Sequence, residues 1–355
     1  MRRILVTGAG GAAAANFVHS LRLAPEPFHV VGTDTSEYHL ELAPVDTRYL
    51  LPRADEPGYL DELNAVVEAE GAEVVHPQPE QEVLFLAREH EQVGAATFLP
   101  SAEAVAICQD KATFAAQMES AGLPTPRFAR AEDEESLREA TASILAGREQ
   151  AWVRAVRGAG ARASLPVSSP EQAVAWVRYW RERRGLGFAD FMVSEFLPGR
   201  EFAFQSVWQH GQLVTSAARE RLEYVFGHLM PSGQSSSPSV ARTVHRDDVN
   251  ELASRAVTAV DPAASGVFCV DLKEDEDGRP LVTEINAGRF FTTSNFLAEA
   301  GANMPYSYVR LALGETLNGL PRFDAVDADL YWVRMIDMGF KLVREGEWQS
   351  RRVGR

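Results

Sequence analysis

Cysteine, lysine and long hydrophobic runs are all scarce in this sequence, and each scarcity excludes a class of protein. The two cysteines, Cys108 and Cys269, lie in apolar settings and predict neither a disulfide framework nor a metal cluster. No hydrophobic run approaches the length of a membrane span, and strand-like residues begin at Arg3, where a signal peptide would lie. We therefore expect a protein of a reducing compartment, the cytoplasm, with no membrane partner.

Basic side chains are also fewer than acidic ones. The 355 residues carry 35 basic and 50 acidic side chains, a net charge of −15, which argues against nucleic acid or an anionic membrane as the main partner. Only three lysines occur, so a lysine kept among so many arginines is of interest. The length suffices for two or three packed domains.

One stretch, residues 266–289, has the pattern of a β-hairpin. Apolar and β-branched residues flank an Asp277-Gly278 pair, which is a strong signal for a hairpin turn. If these two residues form the loop, Asp271 lies directly opposite Glu284. The pattern therefore predicts two facing carboxylates.

Asn286 lies two residues beyond Glu284 and so points to the same face of the predicted hairpin. Facing like charges, roughly 5 Å apart, are destabilising unless a cation lies between them. Oxygen ligands of this kind suit a hard ion, above all Mg²⁺, completed by substrate phosphates and water. The alternative is a solvent-exposed hairpin with two ordinary surface acids. This alternative is weakened by Arg289, which would place a phosphate-binding cation beside the metal face.

The chain opens with a strand over residues 3–7, a Gly8-Ala9-Gly10-Gly11 loop, an alanine-rich helix and a second strand that ends at Asp34. This order predicts a doubly wound α/β domain. The third glycine position of the dinucleotide-binding pattern is Ala13, so the pattern is incomplete.

Two segments predict phosphate-binding cations. Asp110 has the pattern of an N-cap for a helix in which Lys111 occupies the first turn, where its charge opposes the helix dipole unless it reaches a phosphate. A predicted strand carrying Arg154 leads into the glycine loop of residues 157–162, which contains no acid. Glycines let a backbone close over phosphates, and flanking arginines supply charge. An exposed lysine and a plain flexible loop are the alternatives.

Glu195 and Glu201 lie inside otherwise apolar strands, where an acid is costly unless it has a partner. A ribose diol and an exocyclic amine are suitable partners, and local arginines such as Arg200 or Arg219 are the alternative. Residues 219–239 combine basic, serine and glycine residues without strand or helix periodicity, which is typical of a lid or binding loop. Our candidate substrate-binding residues in this segment are Arg219, Arg221 and His228.

This order of elements resembles the ATP-grasp superfamily, specifically single-copy proteins related to one half of the carbamoyl-phosphate synthetase large chain, over about residues 1 to 320. Asp271 resembles the family's metal-binding acid, and the run Glu284-Ile285-Asn286 resembles its E-I-N signature. The family often has Asn-Pro-Arg after its metal pair, whereas Arg289 comes one residue later here. The resemblance implies four sets of site residues: metal ligands Asp271, Glu284 and Asn286; catalytic Arg289 and Arg154; phosphate-binding Lys111, Arg154, Arg157, Gly158 and Gly160; and nucleoside-binding Glu195, Phe196, Leu197 and Glu201.

The resemblance also implies the fold class, which is α/β. An N-terminal Rossmann-like domain with a parallel sheet, the pre-ATP-grasp domain, precedes a two-lobed ATP-grasp domain of α+β type. We expect the pre-ATP-grasp domain at residues 1–100, linker helices and the small lobe with its glycine loop at 101–190, the large lobe with the metal hairpin at 191–320, and a C-terminal tail at 321–355.

The activity implied is that of a ligase. ATP phosphorylates a carboxylate to an acyl phosphate, and an amine displaces phosphate to give an amide, ADP and phosphate. The implied cofactors are ATP and Mg²⁺, with Mn²⁺ as an alternative, and the partners are a small-molecule carboxylate and an amine; a homodimer stays open. A single copy of 355 residues argues against complete carbamoyl-phosphate synthetase activity.

Two other hypotheses compete with the ligase. An NAD(P)-dependent oxidoreductase would use the segment from Gly8 to Asp34, but it leaves the acidic hairpin, the arginine loop and the acids Glu195 and Glu201 without a role. A non-catalytic nucleotide-binding module is disfavoured because no member of the metal set is replaced by an apolar residue.

Overall fold

The computed structural model describes residues 1–158, 163–235, 237–336 and 339–346. The N-terminal part is a four-stranded parallel sheet in the order β3-β2-β1-β4. Its elements are β1 Arg2–Thr7, α1 Ala12–Arg22, β2 Phe28–Asp34, α2 Glu37–Glu41, β3 Thr47–Leu50, α3 Tyr59–Glu70, β4 Val74–His76 and α4 Glu80–Arg88. Both faces of β1 are covered, because Ile4 packs towards α1 and Leu5 packs towards α3. The predicted doubly wound start is confirmed.

A second sheet, in the order β5-β8-β6-β7, forms a small lobe with antiparallel pairing. Its strands and the helices before and around it are α5 Ala102–Gln109, α6 Lys111–Ser120, β5 Phe128–Arg130, α7 Glu134–Leu145, β6 Ala151–Ala155, β7 Leu165–Val167, α8 Pro170–Arg184 and β8 Phe191–Glu195. The Asp110 carboxylate caps α6 by accepting a hydrogen bond from the Thr113 amide at 2.9 Å, as predicted. Gly122 ends this helical region with a φ of +63°.

The third sheet is the largest and runs in the order β13-β12-β9-β10-β11-β14-β15. Its elements are β9 Glu201–Gln209, β10 Gln212–Tyr224, β11 Pro238–Val244, α9 Asp247–Val260, β12 Gly266–Glu274, β13 Pro280–Ala287, α10 Ser294–Glu299, α11 Met304–Ala312, β14 Leu330–Met335 and β15 Gly339–Arg344. One face packs on α9 through Phe204, Phe268 and Val257. β14, which lies in the part of the chain expected to be a C-terminal tail, pairs with β11 as part of this sheet. The predicted fold class is confirmed, and the domain boundaries stay a prediction.

The turn between β12 and β13 differs from the one predicted. The loop comprises residues 275–279, because Glu274 already pairs with Pro280, so the prediction of a two-residue Asp277-Gly278 loop is wrong. The register then shifts by one residue beside Thr283, and this bulge restores Asp271 and Glu284 as direct partners.

The prediction that residues 219–239 are irregular is wrong at both ends of the segment. β10 continues to Tyr224 and β11 begins at Pro238. Charged residues on both faces of β10 conceal the strand periodicity: Arg219 lies in a cleft on one face, whereas Glu220 pairs with Arg242 on the other at 2.7 Å. Of the described residues in this segment, only 225–235 and 237 lie outside the two strands.

Within the described part of the chain, the longest apolar helices fall short of what crossing a membrane requires.

Candidate active site

A cleft lies between the small-lobe sheet and the largest sheet. Strands β6 and β8 form one wall, and β9, β10, β12 and β13 form the other. Residues 290–293, which follow β13, close one end together with Ala13 from the N-terminal domain. The cleft is lined by six basic side chains, Lys111, Arg154, Arg219, Arg221, Lys273 and Arg289, and by four acidic ones, Glu195, Glu201, Asp271 and Glu284. A positive excess in a chain of net charge −15 marks the cleft as a site for anions.

Asp271 and Glu284 both line the cleft and form a cross-strand pair. Asn286 is on the same face, with its Nδ2 atom 3.4 Å from Oδ2 of Asp271. The chain itself supplies cations around the pair: Arg221 donates a hydrogen bond of 2.5 Å to Oδ1 of Asp271. These three side chains, predicted as metal ligands, therefore lie together.

Glu284 has basic neighbours on the side away from Asp271. The Lys111 ammonium is 3.7 Å from its carboxylate, and the Arg154 guanidinium is 3.9 Å away. Burial acts to raise the pKa of Glu284, but the charges of Lys111 and Arg154 outweigh it and hold this pKa below its ordinary value. Glu284 is therefore ionised at neutral pH.

The donor set fits a hard divalent cation. Two carboxylates and one amide oxygen share a face, which is a ligand type suited to Mg²⁺. The described residues contain no group of three or more His, Cys, Asp or Glu side chains that could hold a metal by themselves. An ion held at Asp271 and Glu284 would thus complete its coordination with phosphate oxygens and water, for which the surrounding cations provide anchors.

The two predicted phosphate-binding cations project into the cleft. Lys111 donates a hydrogen bond of 2.7 Å to the Gly158 carbonyl, and Arg154 donates one of 3.2 Å to the Thr283 carbonyl. The Nε atom of Arg154 is buried without a hydrogen-bond partner among the described residues, so it has unused donor capacity. Gly158 adopts a φ of +99°, which favours glycine.

Arg157 of the glycine loop does not line the cleft. The Arg157 side chain is 79% exposed and pairs with Asp110 at 3.4 Å. Gly160 was also predicted to bind phosphate, and it lies outside the described residues.

Glu195, Phe196 and Leu197 form part of the cleft wall beside Trp152, whose ring centroid is 6.2 Å from that of Phe196. The Glu195 carboxylate is paired with Arg127 at 2.5 Å and Arg148 at 2.7 Å. Glu195 therefore has arginine partners, as the alternative interpretation expected, but they are Arg127 and Arg148 and not Arg200 or Arg219. The apolar side chains form a slot of the kind that accepts a planar base.

Glu201 also lines the cleft and is held by three polar side chains. Its carboxylate accepts hydrogen bonds from Lys273 at 2.6 Å, Tyr224 and Gln234. Burial acts to raise the pKa of Glu201, but the nearby Lys273 ammonium outweighs it and holds this pKa below its ordinary value. Lys273, Tyr224 and Gln234 were not predicted as site residues. The rarity of lysine, and the two-residue spacing from Asp271 that gives both side chains the same face, were signals for Lys273.

Two of the candidate substrate-binding residues lie in the cleft, and one does not. Arg219 and Arg221 flank Phe291, with guanidinium carbons 4.9 and 5.2 Å from its ring centroid. His228 is exposed on the short 3₁₀ turn Gly227–Leu229 and is absent from the cleft lining. β10 ends at Tyr224, before this residue, and the role of His228 in substrate binding stays a prediction.

Arg289 is beside the metal-ligand set in spite of its shifted spacing. Its guanidinium donates a hydrogen bond to the Asn286 side-chain oxygen and lies 3.8 Å from the Glu80 carboxylate. Gly288, with a φ of +79°, makes the bend that directs the chain back. Arg289 lines the cleft, and its contact with a phosphate stays a prediction.

The N-terminal glycine loop is hydrogen-bonded to Asp34 of the same domain. The Asp34 carboxylate accepts hydrogen bonds from the amides of Gly10 at 3.1 Å and Ser36 at 3.0 Å. Pro79 covers the loop so closely that a Cβ atom on Gly8 would be 2.5 Å from its ring. The acid and the loop that would hold a dinucleotide are therefore already engaged with the chain.

Comparison with known proteins agrees with this architecture. A family model described as "ATP-grasp in the biosynthetic pathway with Ter operon" matches residues 187–331. An L-amino acid ligase from Bacillus licheniformis superposes with a TM-score of 0.67 at 17% identity, over 94% of this chain and 79% of that one. No curated protein matches the sequence.

Two further structures share the fold. The biotin carboxylase domain of Hydrogenobacter thermophilus 2-oxoglutarate carboxylase, in complex with MgADP, ADP and bicarbonate, has a TM-score of 0.68 at 16% identity, over 93% of this chain and 73% of that one. Carboxyaminoimidazole ribonucleotide synthase from Aspergillus clavatus, complexed with ATP, has a TM-score of 0.66 at 16% identity, over 94% and 81%. Residues 187–331 therefore match an ATP-grasp family model, in agreement with the resemblance seen in the sequence, and the chain shares its fold with these three structures. The narrower relation to carbamoyl-phosphate synthetase stays a prediction.

Proposed function

We propose that this protein is an ATP-dependent ligase that joins a carboxylic acid to an amine through an acyl phosphate. The observation that carries the proposal is the facing pair of Asp271 and Glu284, enclosed by basic side chains in one cleft. Facing carboxylates with flanking cations match the needs of a metal-bound polyphosphate better than those of any uncharged ligand.

The residues of the cleft take distinct roles in this reaction. Asp271, Glu284 and Asn286 would hold Mg²⁺, or Mn²⁺ as the alternative. The ion, when bound, neutralises phosphate charge and orients the transferring group. Lys111 and Arg154, which approach Glu284 from the small-lobe side, would bind phosphate oxygens.

The nucleoside would occupy the opposite part of the cleft. Phe196 and Leu197 offer apolar contacts to the base, and Glu201 can accept hydrogen bonds from the ribose hydroxyls. Glu195 is held by Arg127 and Arg148, so its role is to fix the end of β8, and the main chain beside it contacts the base.

The chemistry has two steps. A carboxylate oxygen of the acid attacks the γ-phosphorus, the bond to the β-phosphate oxygen breaks, and ADP leaves. The uncharged amine then attacks the acyl carbon, the carbon–oxygen bond to phosphate breaks, and a proton passes to solvent. Arg289, beside Asn286, would stabilise the charge that develops on the transferring phosphoryl group.

The fold relatives support this class of reaction by what their names state: one is an amino acid ligase, one a carboxylase domain with MgADP and bicarbonate, and one a synthase with ATP. The oxidoreductase alternative loses its main support because Asp34 and the glycine loop are engaged with each other. We further propose small-molecule substrates and a cytoplasmic location.

The proposal is tested by measuring ADP release over pairs of carboxylic acids and amines in the presence of Mg²⁺. Glu284→Gln should abolish the signal, whereas Glu276→Gln, an exposed acid on the same hairpin, should leave it unchanged. ADP release that persists in Glu284→Gln would reject this cleft as the active site.

A further inference from the structure

Arg219 carries a buried charge that no acid of the described chain neutralises. Its side chain is 1% exposed, and its one side-chain hydrogen bond in the described residues, 2.8 Å long, goes to the Thr293 hydroxyl. The Nε and Nη1 atoms are buried without a hydrogen-bond partner there. Arg221, by contrast, is paired with Asp271. A buried cation without an anion is unfavourable, so Arg219 is suited to a ligand that brings the anion.

The strand register places Arg219 close to the metal-ligand pair. Glu284 pairs with Asp271, Asp271 with Ala203, and Ala203 with Arg219, so all four lie in one row across the sheet. The backbones of Arg219 and Asp271 are two strand spacings apart, about 10 Å. A small molecule can span this distance.

Arg219 lies on the opposite side of the carboxylate pair from the predicted phosphate cations. Lys111 and Arg154 approach Glu284, whereas Arg219 is on the Asp271 side. An anion at Arg219 is therefore distinct from the phosphates that Lys111 and Arg154 would hold, and it belongs to the second ligand of the cleft.

The described cleft residues around Arg219 include no unpaired carboxylate that could neutralise a positively charged group. The nearby cleft residues are aromatic, hydroxyl-bearing or apolar: Phe291, Thr292, Thr293, Ser235 and Pro238. The four acids that line the cleft each have a basic partner. Arg334 adds another cation, with hydrogen bonds to the main-chain carbonyls of Pro238 and Thr292.

We propose that Arg219 binds a carboxylate of the acid substrate, and that this substrate has no ammonium group beside that carboxylate. Dicarboxylic, hydroxy, keto and N-acylated acids meet this description, and free α-amino acids do not. The inference rests on the proposed function in one respect only, namely that the anion is a substrate of the ligase.

Binding is tested first, without catalysis. Thermal unfolding is followed with 50 mM glutarate, with glutamate, which adds an ammonium group, and with glutaramide, the uncharged analogue. Glutarate should raise the melting temperature of the parent and of the control Arg255→Met, an exposed arginine on α9, by about 2 °C or more. Glutarate should have no effect on Arg219→Met, and glutaramide none on any variant.

The same experiment separates a binding role from a structural one. Without ligand, Arg219→Met should unfold at the same or a higher temperature than the parent, because it removes an uncompensated buried charge. A structural arginine would show the reverse. Equal glutarate shifts in the parent and Arg219→Met, no shift in the parent, or a glutamate shift as large as that of glutarate would each overturn the proposal.

Catalysis is tested second, with hydroxylamine as the amine so that any acyl phosphate is trapped. For the best acid of the ADP-release panel, Arg219→Met should raise the KM for the acid at least 10-fold while the KM for ATP stays within twofold. If no acid yields ADP but glutarate binding depends on Arg219, the ligase proposal fails and the anion site stands. If an α-amino acid is the best substrate, the anion-site proposal fails and the ligase stands.

Discussion

The carboxyl groups of Asp271 and Glu284 lie opposite each other on β12 and β13, and their pKa values are displaced in opposite directions. Burial raises the pKa of Asp271 to about 6, assisted by the charge of Glu284 and opposed by Arg221. The basic neighbours of Glu284 lower its pKa in spite of burial. Burial therefore dominates at Asp271 and the basic neighbours dominate at Glu284, and a divalent cation held between the two carboxylates would favour the ionised form of both.

The metal-ligand pair gives the first prediction. Asp271→Asn and Glu284→Gln should each reduce turnover at least 100-fold with the fold retained, because both keep the side-chain shape while removing a charged ligand. Circular dichroism checks the fold, and phosphate release at increasing Mg²⁺ checks the activity. Turnover near the parent level in either variant would contradict the assignment.

The second prediction concerns nucleotide affinity. Lys111→Met and Arg154→Met should each weaken binding of Mg²⁺-ATP, since loss of a charged hydrogen bond in a closed site costs about 1.5–3 kcal/mol. That range corresponds to a dissociation constant roughly 10- to 150-fold higher in calorimetry. The control Arg255→Met should bind like the parent, and parent-like affinity in both cleft variants would show that phosphates bind elsewhere.

The facing pair of Asp271 and Glu284 could be predicted from the sequence, but only because two errors cancel: the predicted loop is too short, and the bulge in β13 was not foreseen. The partnership of Asp271 with Glu284 follows from a two-residue loop, yet the loop has five residues and a bulge beside Thr283 restores the register. The Asp275 side chain widens the turn by accepting the main-chain amide of Arg279 at 2.9 Å. Side-chain capping of this kind changes loop length without altering the strand pattern.

The contacts between distant segments could not be predicted. Arg221 reaches Asp271 and Lys273 reaches Glu201 only because β9 lies between β10 and β12 in the sheet. Strand order depends on how whole segments pack, and spacing along a single sequence carries no record of it. For the same reason the sequence favoured His228, which lies close to Arg221 along the chain but not in the cleft.

The third prediction concerns stability and pH. Glu274 is buried and accepts hydrogen bonds from Arg200 and Arg246, which fix the start of β9 beside Glu201. Burial acts to raise the pKa of Glu274, but Arg200 and Arg246 hold it below the ordinary value of 4.5. The ion pairs therefore stabilise the fold above pH 4.5, and this stabilisation is lost as the pH falls through the lowered pKa.

Glu274→Gln should accordingly lower the free energy of unfolding at pH 7 by about 2 kcal/mol. The difference from the parent should shrink steadily below pH 4.5 in urea titrations. Glu276→Gln, exposed two residues further on, serves as the control and should match the parent throughout. A difference that stays constant down to pH 3 would show that Glu274 acts through packing.

The fourth prediction concerns the segment between β10 and β11. Gln234 and Ser235 of this segment line the cleft, so nucleotide binding should protect amides of residues 225–235 from hydrogen exchange. Residues 219–221 are already paired on both sides within β10 and serve as an internal control with little change. Unchanged exchange in 225–235 on adding a non-hydrolysable ATP analogue would count against closure over the nucleotide.

The identity of the nucleotide product tests the central claim most directly. With an accepted acid, hydroxylamine and Mg²⁺, we expect ADP and phosphate in a one-to-one ratio with an acyl hydroxamate, all three absent from Glu284→Gln. Attack on the γ-phosphorus requires this stoichiometry. AMP and pyrophosphate in their place would mean that the acid is adenylated, and the acyl-phosphate account would be contradicted.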